Sequence, residues 1–353
     1  MLTSLKLRNF KCFDEAKIDF SNLTILAGGN AAGKSSVIQA FLFYAYATAQ
    51  SEKSIDIRKI YELDLGVARS LFSQNPTGTD NSIEIEAMKS DSSSSMLFKA
   101  SDKSPYAMEL TGYAPYVGEF NVKYLKAERK GPRTTTQISG SPEDLGYSGE
   151  YTPSVIENAD NKGIKVHEKL SGGRIKEKFS VQVERWMSAV LGNMEIDITT
   201  DNIKGFTDTK IKNSVTDFGV IPTLTGFGIT YAMPIIVAGL LCSTYPESIL
   251  IVENPEAHLH PMAQSNIGKF LAILSQCGVQ VIIETHSEHV VDGARIQLRN
   301  DKQTNEMIIN FFELQKLKIA VTPITLKSNG ELAYWPKGFF DQKQTDLREL
   351  LSR

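Results

Sequence analysis

The chain has 353 residues, with 38 Lys plus Arg against 41 Asp plus Glu and a formal net charge of −3. Apolar residues make up 41% and charged residues 22%. That composition excludes a disordered chain or a disulfide-framed miniprotein, and the near-neutral balance argues against wholesale attraction to nucleic acid or an anionic membrane. Cys12, Cys242 and Cys277 form no CxxC pair. This fits a reducing cytosol and no structural zinc, so a cytoplasmic location is expected. The first residues alternate apolar and polar, unlike a signal peptide. The greasiest stretch, Ile229 to Cys242, is interrupted by Pro234 and too short to span a bilayer.

In chain order, Leu5, Leu7 and Phe10 mark a first strand, followed by strands near 16–20 and 23–27. The first two predict a small antiparallel sheet. A glycine-rich turn covers 28–33, and 34–49 predicts a buried helix. The serine run of 90–95 predicts a hairpin tip or loop, with short strands at 82–87, 95–100 and 120–125. Residues 131–175 are rich in Gly, Pro, Ser and Thr and read as irregular. Residues 179–191 predict an amphipathic helix carrying Val183, Trp186, Met187 and Val190 on one face. Then come an apolar helix over 226–242 after a Gly-Phe-Gly turn, a strand at 248–252 and a helix at 260–277. A strand at 279–283, a helix at 287–299, two strands near 307–313 and 319–326 and a helix at 342–351 complete the order. Alternating apolar strands and helices in the last third predict parallel pairing and an α/β fold.

Gly28-Gly29-Asn30-Ala31-Ala32-Gly33-Lys34-Ser35 fits GxxxxGK[ST], and Ser36 continues into the helix. A strand precedes this loop and a helix follows it, the setting a phosphate-binding loop requires. Glycines let several backbone N–H groups face one anion, and the helix N-terminus adds partial positive charge. Lys34 is placed to reach the β- and γ-phosphates of ATP, and the Ser35 hydroxyl to ligate Mg²⁺.

Ile249-Leu-Ile-Val252-Glu253-Asn254-Pro255-Glu256 is an apolar strand ending in acids. In P-loop ATPases a carboxylate here holds the Mg²⁺ shell, so Glu253 is the expected metal ligand. Asn254 stands where a water-activating carboxylate is usual and cannot take a proton. Glu256 is therefore a candidate to serve instead. A second apolar strand ends in Glu284-Thr285-His286-Ser287, where His286 is placed to touch the γ-phosphate. His258 and His260 lack a third metal ligand nearby, which favours a structural role. Ser287 suits a helix N-cap.

These parts resemble the ABC-type ATPase heads of the SMC, RecF and OLD-like families. The opening Leu5-Lys-Leu-Arg-Asn-Phe-Lys-Cys-Phe13 is similar to their first strand. Leu224-Thr225-Gly226-Phe227-Gly228-Ile-Thr-Tyr sits where they carry a signature loop. The resemblance implies that Thr225, Gly226 and Gly228 approach the γ-phosphate held by a second subunit. Four stretches look like a bacterial group of standalone SMC-like ATPases with a C-terminal domain of unknown function: 124–133, 149–151, 253–261 and 335–341. That group is met beside nucleases and in phage-defence gene clusters. No heptads lie between Lys34 and Gly226, so no long coiled coil is expected. No acidic metal cluster follows His286, which argues against a built-in nuclease.

The expected organisation is a single P-loop head over 1–353. Its nucleotide-binding core is 1–50 and 220–300, with an inserted β and helical lobe at 51–219 and C-terminal strands and helix at 301–353. The expected function is ATP binding and slow hydrolysis by a homodimer or higher oligomer. Its output would be control of a separately encoded effector such as a nuclease in anti-phage defence. Two alternatives stand: a RecF-like DNA-repair ATPase binding DNA ends, and a nucleotide-gated scaffold with little hydrolysis. Lys123, Lys126, Arg129, Lys130 and Arg133 admit a solvated strand end, a DNA contact or an arginine facing the nucleotide across a dimer.

Overall fold

The computed structural model describes residues 1–74, 81–90, 92–113, 120–213, 218–316 and 318–352. The elements in order are β1 (Leu2–Phe10), β2 (Phe13–Asp19), β3 (Leu23–Gly28) and α1 (Lys34–Thr48). Next are β4 (Ser54–Asp56), β5 (Ile83–Lys89), β6 (Ser92–Ala100), β7 (Ala107–Tyr113), β8 (Val122–Leu125) and β9 (Thr135–Gln137). Helices α2 (Thr152–Asn161), α3 (Glu168–Ser171) and α4 (Phe179–Leu191) lead to β10 (Met194–Asp201) and β11 (Phe206–Asn213). The chain continues with α5 (Phe227–Cys242), β12 (Ile249–Glu253), α6 (Pro261–Ser275), β13 (Gln280–Glu284) and α7 (Glu288–Asn300). It closes with β14 (Met307–Gln315), β15 (Lys318–Thr325) and α8 (Gln342–Leu351). No described helix is long and apolar enough to cross a membrane.

The chain forms two compact units, Met1–Val122 with Asn305–Arg353, and Lys123–Thr304. In the first, an antiparallel sheet runs β2-β1-β5-β6-β7-β4. The alternation of β1 turns Leu5 and Leu7 into the core; Phe10, off that register after Asn9 at φ 58°, is buried as well. The serine run sits at a hairpin tip, one of the two expectations, but less of it is loop than expected: Ser90 turns after β5, and β6 already begins at Ser92, with Ser92, Ser93 and Ser94 opposite Lys89, Met88 and Ala87. Backbone pairing to an established neighbour outweighs the weak strand preference of serine. Asp91 lies outside the described residues.

The same unit holds β3, whose residues 23–27 are all buried. It pairs in parallel with β14, Leu23 opposite Met307 and Gly28 opposite Phe312. β15 adds an antiparallel edge on β14. α1 is buried on nearly every side, as its uniformly apolar sequence requires. Near the C-terminus Phe339 is 1% exposed, with its ring 5.5 Å from Phe311 and 5.4 Å from Trp335, which itself stays 47% exposed.

In the second unit β12 and β13 pair in parallel, Ile249 opposite Gln280 and Glu253 opposite Glu284. Their apolar runs are buried on both faces, as parallel strands demand. α6 and α7 pack on each other. Ser287 caps α7 as expected, its hydroxyl accepting from the N–H groups of His289 and Val290. Several elements of this unit depart from expectation. Within the supposedly irregular 131–175, α2 forms with Pro153 in its first turn and Val155, Ile156 and Ala159 buried. β10 and β11 form a hairpin that joins β9 in a three-stranded sheet.

Candidate functional site

The loop Gly28–Ser36 lies in the first unit, between β3 and α1. Gly28 has φ 146°, and a Cβ there would stand 2.2 Å from the carbonyl oxygen of Phe312. Only glycine fits. Gly33 begins α1 at φ 91°, and no side chain caps the helix. The helix N-terminus is therefore left to whatever anion sits in the loop. Lys34 is 3% exposed and turns inward. Its Nζ donates to Gly28 O at 3.1 Å and Gly29 O at 2.7 Å. The ammonium is thus held across the mouth of the curled backbone. Ser35 follows in the first turn of the helix.

The second unit gathers the acidic strand end and the histidine strand. Glu253 ends β12, and its Oε1 accepts from the Tyr124 hydroxyl at 3.0 Å. Burial pushes the Glu253 carboxyl above the ordinary range and raises the Tyr124 phenol as well. Asn254 has φ 44°, in the left-handed region that asparagine tolerates best after glycine. Its N–H donates to Glu284 O at 2.8 Å. Glu256 is tied at both oxygens: Oε2 accepts from Thr285 Oγ1 and Oε1 from the His286 N–H, each at 2.7 Å. The structure thus brings Glu256 and His286 together.

Of the three readings left open for the bases of 123–133, the solvated strand end fails at Arg129, which is 3% exposed. Its guanidinium donates to the carbonyls of Glu253 (2.8 Å), Lys126 (3.3 Å) and Asn254. It also lies 5.4 Å from the Tyr231 ring. Desolvation lowers its pKa to about 10, which leaves it cationic at neutral pH. One side chain therefore fixes the backbone on which Glu253 and Asn254 ride. Its contribution and that of Tyr124 were visible in the sequence only as part of the 124–133 stretch. Lys130 and Arg133, by contrast, are exposed.

His258 stacks beside Phe227 (5.2 Å) and Tyr231 (4.4 Å), and His260 caps α6. Both are exposed, His258 lying against two aromatic rings and His260 standing at a helix start. Thr225 turns its hydroxyl back to Pro222 O at 2.7 Å. Gly226 is the N-cap of α5 with no side-chain cap, and a Cβ there would meet nothing within 4 Å. A Cβ on Gly228 would come 3.1 Å from His258 O. Phe227 and Gly228 lie inside the first turn of α5, so the expected Gly-Phe-Gly turn is part of the helix. Leu224 (73% exposed) and Phe227 (52%) flank this open helix start.

A family model described as an AAA domain matches residues 4–215, and one described as an AAA ATPase domain matches 148–291. A family described as a protein of unknown function (DUF3696) matches 303–350. A search of the curated proteins finds no match. Among solved structures, an SMC head bound to the C-winged helix domain of ScpA superposes with TM-score 0.55 at 14% identity, over 92% of this chain and 98% of that one. An Smc head domain with an extended coiled coil, bound to the C-terminal domain of ScpA derived from Pyrococcus furiosus, gives TM-score 0.53 at 12% identity, over 99% of each chain. The fold is thus the mixed α/β fold of an SMC-type ATPase head, without a long coiled coil among the described residues.

Proposed function

The chain belongs to the AAA domain family, and from that membership we propose that it binds ATP with Mg²⁺ at Gly28–Ser36 and hydrolyses it slowly to ADP and phosphate. The observation that carries this reading is the loop itself. It joins a backbone only glycine can form at 28, an uncapped helix N-terminus and an inward ammonium from Lys34. Those are the donors and charges that phosphates require. Ser35 Oγ and the Glu253 carboxylate would hold Mg²⁺, being oxygen donors of the kind a hard cation takes. The metal, when bound, neutralises charge on the phosphates.

Glu256 and His286 act together on the attacking water. Glu256 grips the His286 backbone N–H and the Thr285 hydroxyl, and so sets where the imidazole stands. Single-turnover phosphate release at saturating ATP tests these roles. Glu253→Gln should lose metal-dependent turnover. Glu256→Gln and His286→Ala should each slow hydrolysis by about 10²–10⁴ while ATP binding persists. Asn254→Glu should bring no gain, because its left-handed backbone disfavours glutamate. An effect confined to Glu253→Gln would remove the assignment of Glu256 and His286. No effect in any variant would place the activity elsewhere.

Two copies close on ATP, the open α5 start of one facing the nucleotide of the other. The exposed Leu224 and Phe227 beside that start suit a contact surface. Gly226→Asp adds a negative charge where nothing crowds it. Sedimentation with ATP should show this variant monomeric, with ATP binding intact; an unchanged ATP-driven dimer would sink the model. Closure then licenses a separately encoded effector, a nuclease in anti-phage defence. The solved SMC heads, each bound to a domain of ScpA, lend support to action through a partner protein.

A further inference from the structure

The inward face of β11 carries threonines where a core would take valine. Its buried positions are Thr207, Thr209 and Ile211. The Thr207 hydroxyl meets Thr200 Oγ1 at 3.2 Å. Thr209 is 4% exposed, and its hydroxyl has no hydrogen-bond partner. A buried hydroxyl left unpaired opposes folding, and a valine of the same shape would avoid that penalty.

Thr209 is among the residues that line a cavity of about 370 Å³ in the second unit, a volume in the range of small-molecule sites. Lys130 and Arg133 also line it, both exposed and without an acid partner among the described residues. The one lining acid, Glu150, turns Oε2 to the Ser148 N–H at 2.9 Å. Tyr151 and Pro234 supply apolar surface, and Thr230 a further hydroxyl. None of the lining residues belongs to Gly28–Ser36 or to Glu253–His286.

We propose that this cavity binds a phosphorylated, hydroxyl-bearing small molecule of nucleoside monophosphate size. Lys130 and Arg133 take the phosphate, Thr209 a hydroxyl or ring nitrogen, and Tyr151 with Pro234 the planar body. Thr230 and Pro234 belong to α5. An occupant therefore leans on the helix whose first residues meet the second subunit. That last link rests on the function proposed above; the binding itself does not.

The test uses the full chain carrying Lys34→Ala, so that the phosphate-binding loop contributes no nucleotide affinity. AMP, GMP, CMP and UMP are titrated by calorimetry, beside ribose 5-phosphate and inorganic phosphate. At least one nucleoside monophosphate should saturate, and Arg133→Gln and Thr209→Val should each weaken it at least about tenfold. Thr209→Val should at the same time raise the melting temperature, since the orphan hydroxyl is gone. No saturable binding, or binding unchanged in both variants, would overturn the proposal. So would inorganic phosphate binding as tightly as any nucleotide. A lower melting temperature for Thr209→Val with binding unaltered would make the hydroxyl structural and overturn it too. The outcome does not depend on ATP turnover or dimerisation, so it fails or stands apart from them.

Discussion

Replacing Lys34 by alanine should weaken ATP binding at least about a hundredfold and leave the fold in place. The ammonium is held over the loop by two backbone carbonyls, Gly28 O and Gly29 O. Phosphate oxygens would compete for the same donors with full negative charge. Two charge-assisted hydrogen bonds amount together to about 3 kcal/mol or more, which is about a hundredfold in affinity. Removing the side chain leaves the carbonyls at a loop open to water, so the melting temperature should move by only a few degrees. Calorimetry with a non-hydrolysable ATP analogue and Mg²⁺ reads the affinity directly. Micromolar binding in the variant would remove Gly28–Ser36 from the nucleotide site.

The second large effect is on stability. Arg129→Leu should destabilise the chain by about 3–5 kcal/mol, read as a lower urea midpoint. Leucine matches much of the apolar stem but leaves the carbonyls of Lys126, Glu253 and Asn254 without the guanidinium that serves them. Arg129→Lys should recover only part of the loss, because a compact ammonium lacks the rigid planar fork that here reaches three carbonyls at once. Both variants should lose turnover, since the backbone carrying Glu253 would drift. A change below about 1 kcal/mol in Arg129→Leu would mean that those carbonyls find other partners and that the arginine is not the clamp described.

Residues that do chemistry in the backbone's own grammar were legible in the sequence. Gly28, Gly33 and Lys34 are constrained by local geometry, so their string is readable without neighbours. The apolar runs ending at Glu253 and Glu284 were equally plain, because a strand buried on both faces has no polar alternation to blur it. What escaped was whatever depends on distant partners. Arg129 looks like one base among five until the strand end it serves comes within reach, more than a hundred residues along the chain. In the β10–β11 hairpin, β10 alternates Met194, Ile196 and Ile198 with polar residues and was legible but passed over, whereas β11 hides because Thr207 and Thr209 occupy its inner face. Asn254 reads as a missing base in the sequence; in the fold its left-handed backbone gives the asparagine a conformational reason to be there.

The strand that leads into Gly28–Ser36 leans on a neighbour that follows it much later in the chain. β3 is paired by β14, and the same strand supplies the Phe312 carbonyl against which Gly28 is fitted. During synthesis β3 leaves the ribosome early and waits with that flank unpaired until Met307–Phe312 emerge. Such long-range pairing slows folding, because a large loop must close before the contacts that stabilise it form. Gly28–Ser36 is therefore completed only once that late strand has paired, so an anion proposed to bind there cannot serve as an early template for the nascent chain. In the meantime an apolar strand edge is open to aggregation and depends on chaperones or speed for its protection.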